Sequence, residues 1–193
     1  MRDIPVGNGR LLVTFDDHYQ IRDVYFPHVG QENHAGAGPC RFGVYADVPG
    51  RHGHRQGGQL FWGSDPAWTI RQRYLRDTLT TSVSMDHPEL RLAMYCNDVV
   101  DFNRNILVRK IKVKNLAPHD RVARIFHHQG LHMFGTNIGN TAYYDPELRS
   151  IVHYHGKRYL MVTFWAGGEQ RIDEYATGTS GFHGAEGTWR DAE

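Results

Sequence analysis

Several things are scarce in this sequence, and each scarcity excludes something. Cysteine occurs only at Cys40 and Cys96 in 193 residues, too few for the disulfide framework that small secreted scaffolds use in place of a core. A reducing, cytoplasmic setting fits that count. Long apolar runs are missing: nowhere do about 18 uncharged apolar residues follow one another, so no membrane-crossing helix is expected. The opening residues Met1-Arg2-Asp3-Ile4-Pro5-Val6-Gly7-Asn8-Gly9 lack the basic and apolar regions of an export signal. Charge of one sign is also missing. Against 21 Asp and Glu stand 22 Lys and Arg, a formal net charge of +1, so nothing steers the chain toward nucleic acid or an acidic membrane. Helical periodicity is absent too, since no window repeats apolar residues at i, i+3, i+4 and i+7 beyond a turn or two.

What remains is strand character. Residues 9–15 and 20–26 read as a hairpin across the polar turn Asp16-Asp17-His18. Residues 27–39 are rich in glycine, proline and polar side chains with no period of either kind, which makes them a long loop and a candidate binding loop. Strand character resumes over 41–47, and 49–58, with almost no apolar content, reads as a flexible surface loop. From Trp68 the alternation is clear: Trp68, Ile70, Gln72 and Tyr74 share one face, Thr69, Arg71, Arg73 and Leu75 the other. Residues 78–85 and 89–96 form a second hairpin about Asp86-His87-Pro88. Over 105–115, Ile106, Val108, Lys110, Lys112 and Lys114 alternate against Leu107, Arg109, Ile111 and Val113, with a change of pattern mid-strand that suggests a bulge. Residues 121–128, 150–155 and 158–164 bring the expectation to about eleven strands. The chain therefore reads as one all-β domain over residues 1–193, a large antiparallel β-sandwich rather than a small barrel.

Thirteen histidines invite a metal reading. His153 and His155 share a strand face, whereas His127 and His128 point to opposite faces and His132 lies further on. A third ligand would have to come from another strand, and half-buried histidines beside Tyr154 and Phe126 explain the pattern without one. No metal and no cofactor is expected. Gly7-Asn8-Gly9 is followed by a strand instead of a helix, and no helix follows Thr177-Gly178-Thr179-Ser180-Gly181, so neither is a nucleotide loop. Among the carboxylates, Glu32, Asp145, Glu169, Asp173 and Glu174 sit in loops or turns, and nothing pairs two of them across a glycosidic bond. No catalytic residue is assigned. The aromatics Trp62, Trp68, Tyr143, Tyr144, Tyr154, Trp165 and Trp189 could pack a core or stack on sugar rings. Tyr143 and Tyr144 are neighbours, so on a strand only one can face inward.

Five segments together resemble a known family: Gly7-Asn8-Gly9-Arg10-Leu11-Leu12-Val13-Thr14-Phe15-Asp16, Val24-Tyr25-Phe26-Pro27-His28-Val29-Gly30-Gln31-Glu32-Asn33-His34, Arg41-Phe42-Gly43-Val44, Asn105-Ile106-Leu107-Val108-Arg109-Lys110 and Thr141-Ala142-Tyr143-Tyr144-Asp145-Pro146. They are similar to the N-terminal β-domain of prokaryotic glycoside hydrolase family 15 proteins, which are glucoamylase-like, glucodextranase-like and trehalase-like. The resemblance implies a galactose-mutarotase-like supersandwich packed against a separate (α/α)6 barrel, where the family's two catalytic glutamates act by inversion. This chain shows no helical repeat, and Gly187-Thr188-Trp189-Arg190-Asp191-Ala192-Glu193 reads as running on toward a linker, so the β-domain is expected to be truncated and without activity alone. His28, Gln31, Glu32 and Asn33, together with Tyr144, are the expected substrate-binding residues, offering groups to an oligosaccharide. The expected partners are the barrel and the sugar, and unpaired sheet edges would favour a homo-oligomer. Two alternatives stay open: a free-standing carbohydrate-binding β-module, and a small metal-dependent β-barrel enzyme.

Overall fold

The computed structural model describes residues 3–35, 40–49, 55–136 and 138–178. The fold is all-β and antiparallel throughout. One sheet runs in the order β1 (Ile4–Gly7), β2 (Leu12–Phe15), β3 (Ile21–Tyr25), β4 (Cys40–Pro49) and β10 (Ala123–Gln129), and β5 (Arg55–Trp62) also pairs with β4. A second sheet orders β6 (Thr69–Tyr74), β7 (Thr81–His87), β8 (Leu92–Val100) and β9 (Leu107–Asn115). Then come a three-stranded sheet of β11 (Thr141–Asp145), β12 (Ser150–His155) and β13 (Arg158–Val162), and a ribbon of β14 (Trp165–Ala166) and β15 (Glu169–Gln170). The helical element among the described residues is a single 3-10 turn, Met133–Gly135.

The first two sheets face each other because strands of period two present one apolar side. In β7, Thr81, Val83, Met85 and His87 are buried in strict alternation. Their cross-strand neighbours Leu92, Met94 and Cys96 meet Phe15, Phe42 and Val44 from the opposite sheet in one core cluster. Burying each of the larger of these side chains is worth about 1.5–3 kcal/mol. Inside that apolar layer lies a polar knot. Asp98, wholly buried, accepts hydrogen bonds from Tyr19 Oη at 2.5 Å, Thr81 Oγ1 at 2.7 Å and Arg109 Nε at 2.6 Å. Three donors satisfy a carboxylate that would otherwise be prohibitively costly to bury.

Four expectations need correction. The β8–β9 register runs unbroken from Leu92↔Asn115 to Val100↔Leu107, so no bulge interrupts this strand; shifts fall instead between Thr14 and Phe15 and between Asp47 and Val48. Continuous pairing with β8 fixes the alternation, and Arg109 turns inward despite its charge because Asp98 lies opposite it. Residues 49–58 are not all loop: β5 begins at Arg55 and pairs Arg55 with Pro49 and Gly58 with Asp47, the backbone ladder supplying what the side chains lack. The turn of the second hairpin lies later than expected. His87 belongs to β7, and its buried ring packs against Phe61 at 4.7 Å and Trp68 at 4.9 Å, while Arg91 N–H bonds Pro88 O to close the reversal. Finally, fifteen strands rather than eleven occupy the described residues; the short β1, β14 and β15 carry too few residues to show a period. The expected loop over 27–39 is described only to Ala35.

Candidate functional site

The segment from Phe26 to Ala35 leaves β3, reverses, and returns to bridge Tyr25 with Asn33. Its turn is held by backbone bonds from Gln31 N–H and Glu32 N–H to His28 O, with Gly30 at φ +83°, where a side chain would be strained. Asn33 anchors the return. Its Oδ1 accepts from Val24 N–H at 3.1 Å and Ala35 N–H at 3.0 Å, and its Nδ2 donates to Asp23 Oδ1 at 2.8 Å. Burial alone would raise the Asp23 carboxyl, but the hydrogen bonds from Thr14 and Arg22, with the Arg22 charge and the Asn33 amide, outweigh it and hold the group below its ordinary range.

His34, also buried, ties this segment to a second one. Its Nε2 donates to Phe26 O at 2.7 Å, and its Nδ1 accepts from Phe134 N–H at 3.0 Å. His132 N–H bonds His34 O, so the stretch around Met133–Gly135 docks directly on the loop. Phe134 has φ +59°, which lifts its ring outward to lie edge-on to His34 at 5.9 Å and His155 at 5.4 Å.

A third element completes the site. Arg158, at the start of β13, donates to Glu32 from Nε at 3.0 Å and from Nη2 at 3.1 and 2.9 Å. Each side chain is about three-quarters buried, with exposures of 24% for Glu32 and 26% for Arg158, and the guanidinium carbon sits 5.4 Å from the Phe134 ring centroid. An aromatic ring beside a fixed carboxylate–guanidinium pair offers a stacking surface flanked by donors and acceptors, which is what a sugar ring requires.

The expected site residues thus separate. Glu32 is in the cluster, and His28 and Gln31 are exposed on the same turn. Asn33 is adjacent, but its amide is fully engaged by the loop's own frame. Tyr144 lies elsewhere: it pairs across β11–β12 with Ile151, four residues and roughly 13 Å along the strand from His155. There it stacks on Tyr175 at 4.2 Å, while Tyr143 points to the opposite face and meets Tyr154 at 6.1 Å. Sequence reasoning missed Arg158, Phe134 and His34. The signal for His34 was a histidine closing an aperiodic loop; Arg158 and Phe134 gave none, being far away in sequence.

Two of the histidines considered for a metal, His127 and His153, are tied together through Gln129. His153 Nε2 donates to Gln129 Oε1 at 2.6 Å, and Gln129 Nε2 donates to His127 Nδ1 at 3.0 Å. Burial pushes His153 down to about 4; burial, with the charges of Arg109, His128 and His153, pushes His127 to about 3. Both rings are neutral at physiological pH. Cys40 and Cys96 are free and buried, their thiols pushed up by burial to about 11 and about 12, which makes them inert core groups. No helix among the described residues is long and apolar enough to cross a membrane.

Comparison with known proteins gives one informative likeness. The chain is 27% identical over 173 residues to an uncharacterized glycosyl hydrolase of Methanocaldococcus jannaschii, a match covering 90% of this chain and 25% of that protein. The chain thus spans about a quarter of that relative's length. No family model matches the chain, and no solved structure matches it.

Proposed function

We propose that this chain is the non-catalytic N-terminal β-domain of a glycosidase of glycoside hydrolase family 15 type, acting on α-glucosides, in which it supports a catalytic (α/α)6 barrel and borders the substrate cleft with residues 27–33. The observation that carries this reading is the alignment of nine-tenths of the chain with a quarter of a glycosyl hydrolase, taken with the segments that resemble the family. Hydrolysis by inversion needs two carboxyl groups about 6.5–9.5 Å apart, one acid and one base. The best-placed carboxylate here, Glu32, has both oxygens bound by Arg158, so it is engaged with a structural partner instead of being presented to a glycosidic oxygen. Glu32, Arg158 and Phe134 then serve as a wall that orients a sugar whose bond is cleaved by residues elsewhere.

The test is to assay the purified chain for glucose release from maltooligosaccharides, isomaltooligosaccharides and trehalose, alone and joined to the helical barrel encoded by its parent gene. The expected result is no release alone and release from the joined protein, with Glu32→Gln raising KM or lowering kcat/KM about tenfold, one useful hydrogen bond. Release by the chain alone, abolished by replacing one of its own carboxylates, overturns the proposal.

A second reading, a free-standing carbohydrate-binding module, is favoured by one feature. Tyr143, Tyr154 and Tyr159 line one face of the three-stranded sheet, with Tyr154 and Tyr159 stacked at 5.8 Å and Tyr159 64% exposed. Calorimetric titration separates the two, because a module binds sugar without the barrel.

A further inference from the structure

The turn Gly7-Asn8-Gly9 precedes a strand, and its asparagine has a structural task. Asn8 Oδ1 accepts from the N–H groups of Arg10 and Leu11, each at 3.0 Å, and its Nδ2 donates to Asp101 O at 2.9 Å and Arg104 O at 3.0 Å. The β1–β2 turn is thereby clamped to the β8–β9 turn of the other large sheet. Asp101 fixes that second turn from within: its Oδ1 accepts from Asn103 N–H at 2.9 Å and Arg104 N–H at 2.8 Å, and its own N–H bonds Ile106 O. The turn so ordered holds Phe102 almost wholly in water, at 87% exposure.

The β6–β7 turn does the same with Leu79. Leu75 N–H bonds Thr80 O, Thr78 N–H bonds Leu75 O, and Thr80 N–H donates to Thr78 Oγ1, leaving Leu79 66% exposed. Tyr74 pairs with Thr81 to close this hairpin, and Asp98 N–H donates to Thr81 Oγ1 at 2.7 Å, so the turn abuts the end of β8 beyond which Phe102 projects. Ile106, at the far side of the Phe102 turn, is exposed as well. Single exposed apolar side chains are ordinary. Three on adjoining turns, each turn tied by its own hydrogen bonds, form a preorganised apolar tip that loses little freedom on docking.

The tip lies at the same end of the sandwich as the candidate site. Gly7 pairs with Leu12 and Leu12 with Tyr25, so the β1–β2 turn and the loop that carries Glu32 leave the first sheet at one end. The hairpin turns at the opposite end present Asp17, His18, Pro88 and Glu89 instead. In the glycosyl hydrolase relative the match covers 25% of the protein, and the rest of that chain is a body large enough to be seated on such an end.

We propose that Phe102, Leu79 and Ile106 anchor this end of the sandwich on the catalytic barrel, beside the wall of Glu32, Arg158 and Phe134. The inference rests on the glycosidase reading above and adds to it the face that meets the barrel: a wall borders a cleft only if its own end of the domain is held against the body that contains the cleft. Three apolar side chains flanked by the exposed Arg10 and Arg104 fit an apolar pocket with a polar or acidic rim.

The test footprints with hydroxyl radicals both the chain alone and the protein encoded by its whole parent gene. In the parent protein, oxidation of Phe102 and Leu79 should fall about fivefold or more relative to the chain alone, as for the dry core of an interface, while Leu116, exposed at the opposite end, is unchanged. The double variant Phe102→Asp, Leu79→Asp should leave the Tm of the chain alone within about 2 °C and lower kcat/KM of the parent protein about tenfold. The wild-type footprint decides the matter even if that variant folds poorly. A barrel-bearing parent protein in which Phe102 is as reactive as in the chain alone overturns this inference and leaves the glycosidase reading standing; a parent gene without a helical barrel overturns both. Protection of Phe102 in the chain alone that grows with concentration assigns the tip to a second copy of the chain and overturns docking on the barrel.

Discussion

The two large sheets and the three-stranded sheet solve the same problem to different degrees. In β7 every second residue is buried, and β8 buries Leu92, Met94, Cys96, Asp98 and Val100. In β11–β13 the buried residues are Ser150, Val152 and His153, while Tyr143, Tyr159 and Met161 stay exposed. Cohesion in the first region comes from an apolar layer closed on both sides; in the second it comes from polar ties, His153 to Gln129 and Arg158 to Glu32. Apolar contacts hold whatever the pH, whereas polar ties, including the His127–Gln129–His153 chain that joins the two regions, can be released one at a time.

The largest difference should appear on breaking the core's own polar knot. Asp98→Ala leaves Arg109 buried and unpaired, and should lower the unfolding free energy by about 3–5 kcal/mol in urea denaturation. Met85→Ala should cost about 2–5 kcal/mol, whereas Tyr159→Ala should stay below about 1 kcal/mol. Equal losses from Met85 and Tyr159 would erase the contrast between the layers.

Acidification sharpens it next. His127 and His153 have folded values depressed to about 3 and about 4, so their contribution is full above the unfolded value near 6.5 and is lost as pH falls from there toward the folded values. Between pH 6.5 and 5 each should remove about 1–2 kcal/mol. The double variant His127→Gln, His153→Gln should flatten that stretch of the profile in urea melts at several pH values.

Smaller effects are expected at the loop. Asn33→Ala frees the Val24 and Ala35 N–H groups and one oxygen of Asp23 and should cost about 1–3 kcal/mol. Glu32→Gln should cost about 1 kcal/mol, since the pair is only partly buried. The least change in stability should come from Tyr159→Arg with Met161→Arg. We propose that this exposed face supports self-association, so light scattering should show the wild-type chain as a dimer or larger and the double variant as a monomer of unchanged Tm. A wild-type monomer at every concentration removes that idea.

Much of the fold could be read from the period-two pattern. Trp68, Ile70, Gln72 and Tyr74 alternate as expected, and the strand over 105–115 is found as β9. What escaped was whatever depends on a partner strand. Arg55 to Gly58 have no apolar signature of their own and are strand because β4 pairs with them. His87 looked like a turn residue because histidine beside proline is polar and common there, yet Phe61 and Trp68 make an aromatic slot for its ring. At the candidate site, the loop stands out as an aperiodic polar stretch in a β context, and the likeness to a glycosyl hydrolase agrees with the resemblance at the coarser level of a glycosidase-related protein. The partners of Glu32 do not stand out, because side chains that meet through tertiary folding leave no local spacing to detect.

The link between Glu32 and Arg158 joins residues 126 positions apart. Neighbouring hairpins such as β7–β8 close short loops and can form early, but a contact of this span must await the ordering of nearly everything between its ends. During folding, then, the carboxylate is free and the Phe134 ring unsupported until the last layer arrives. The wall proposed above to face sugar is thus assembled among the last contacts, and a chain that has stalled with only its two large sheets formed lacks it.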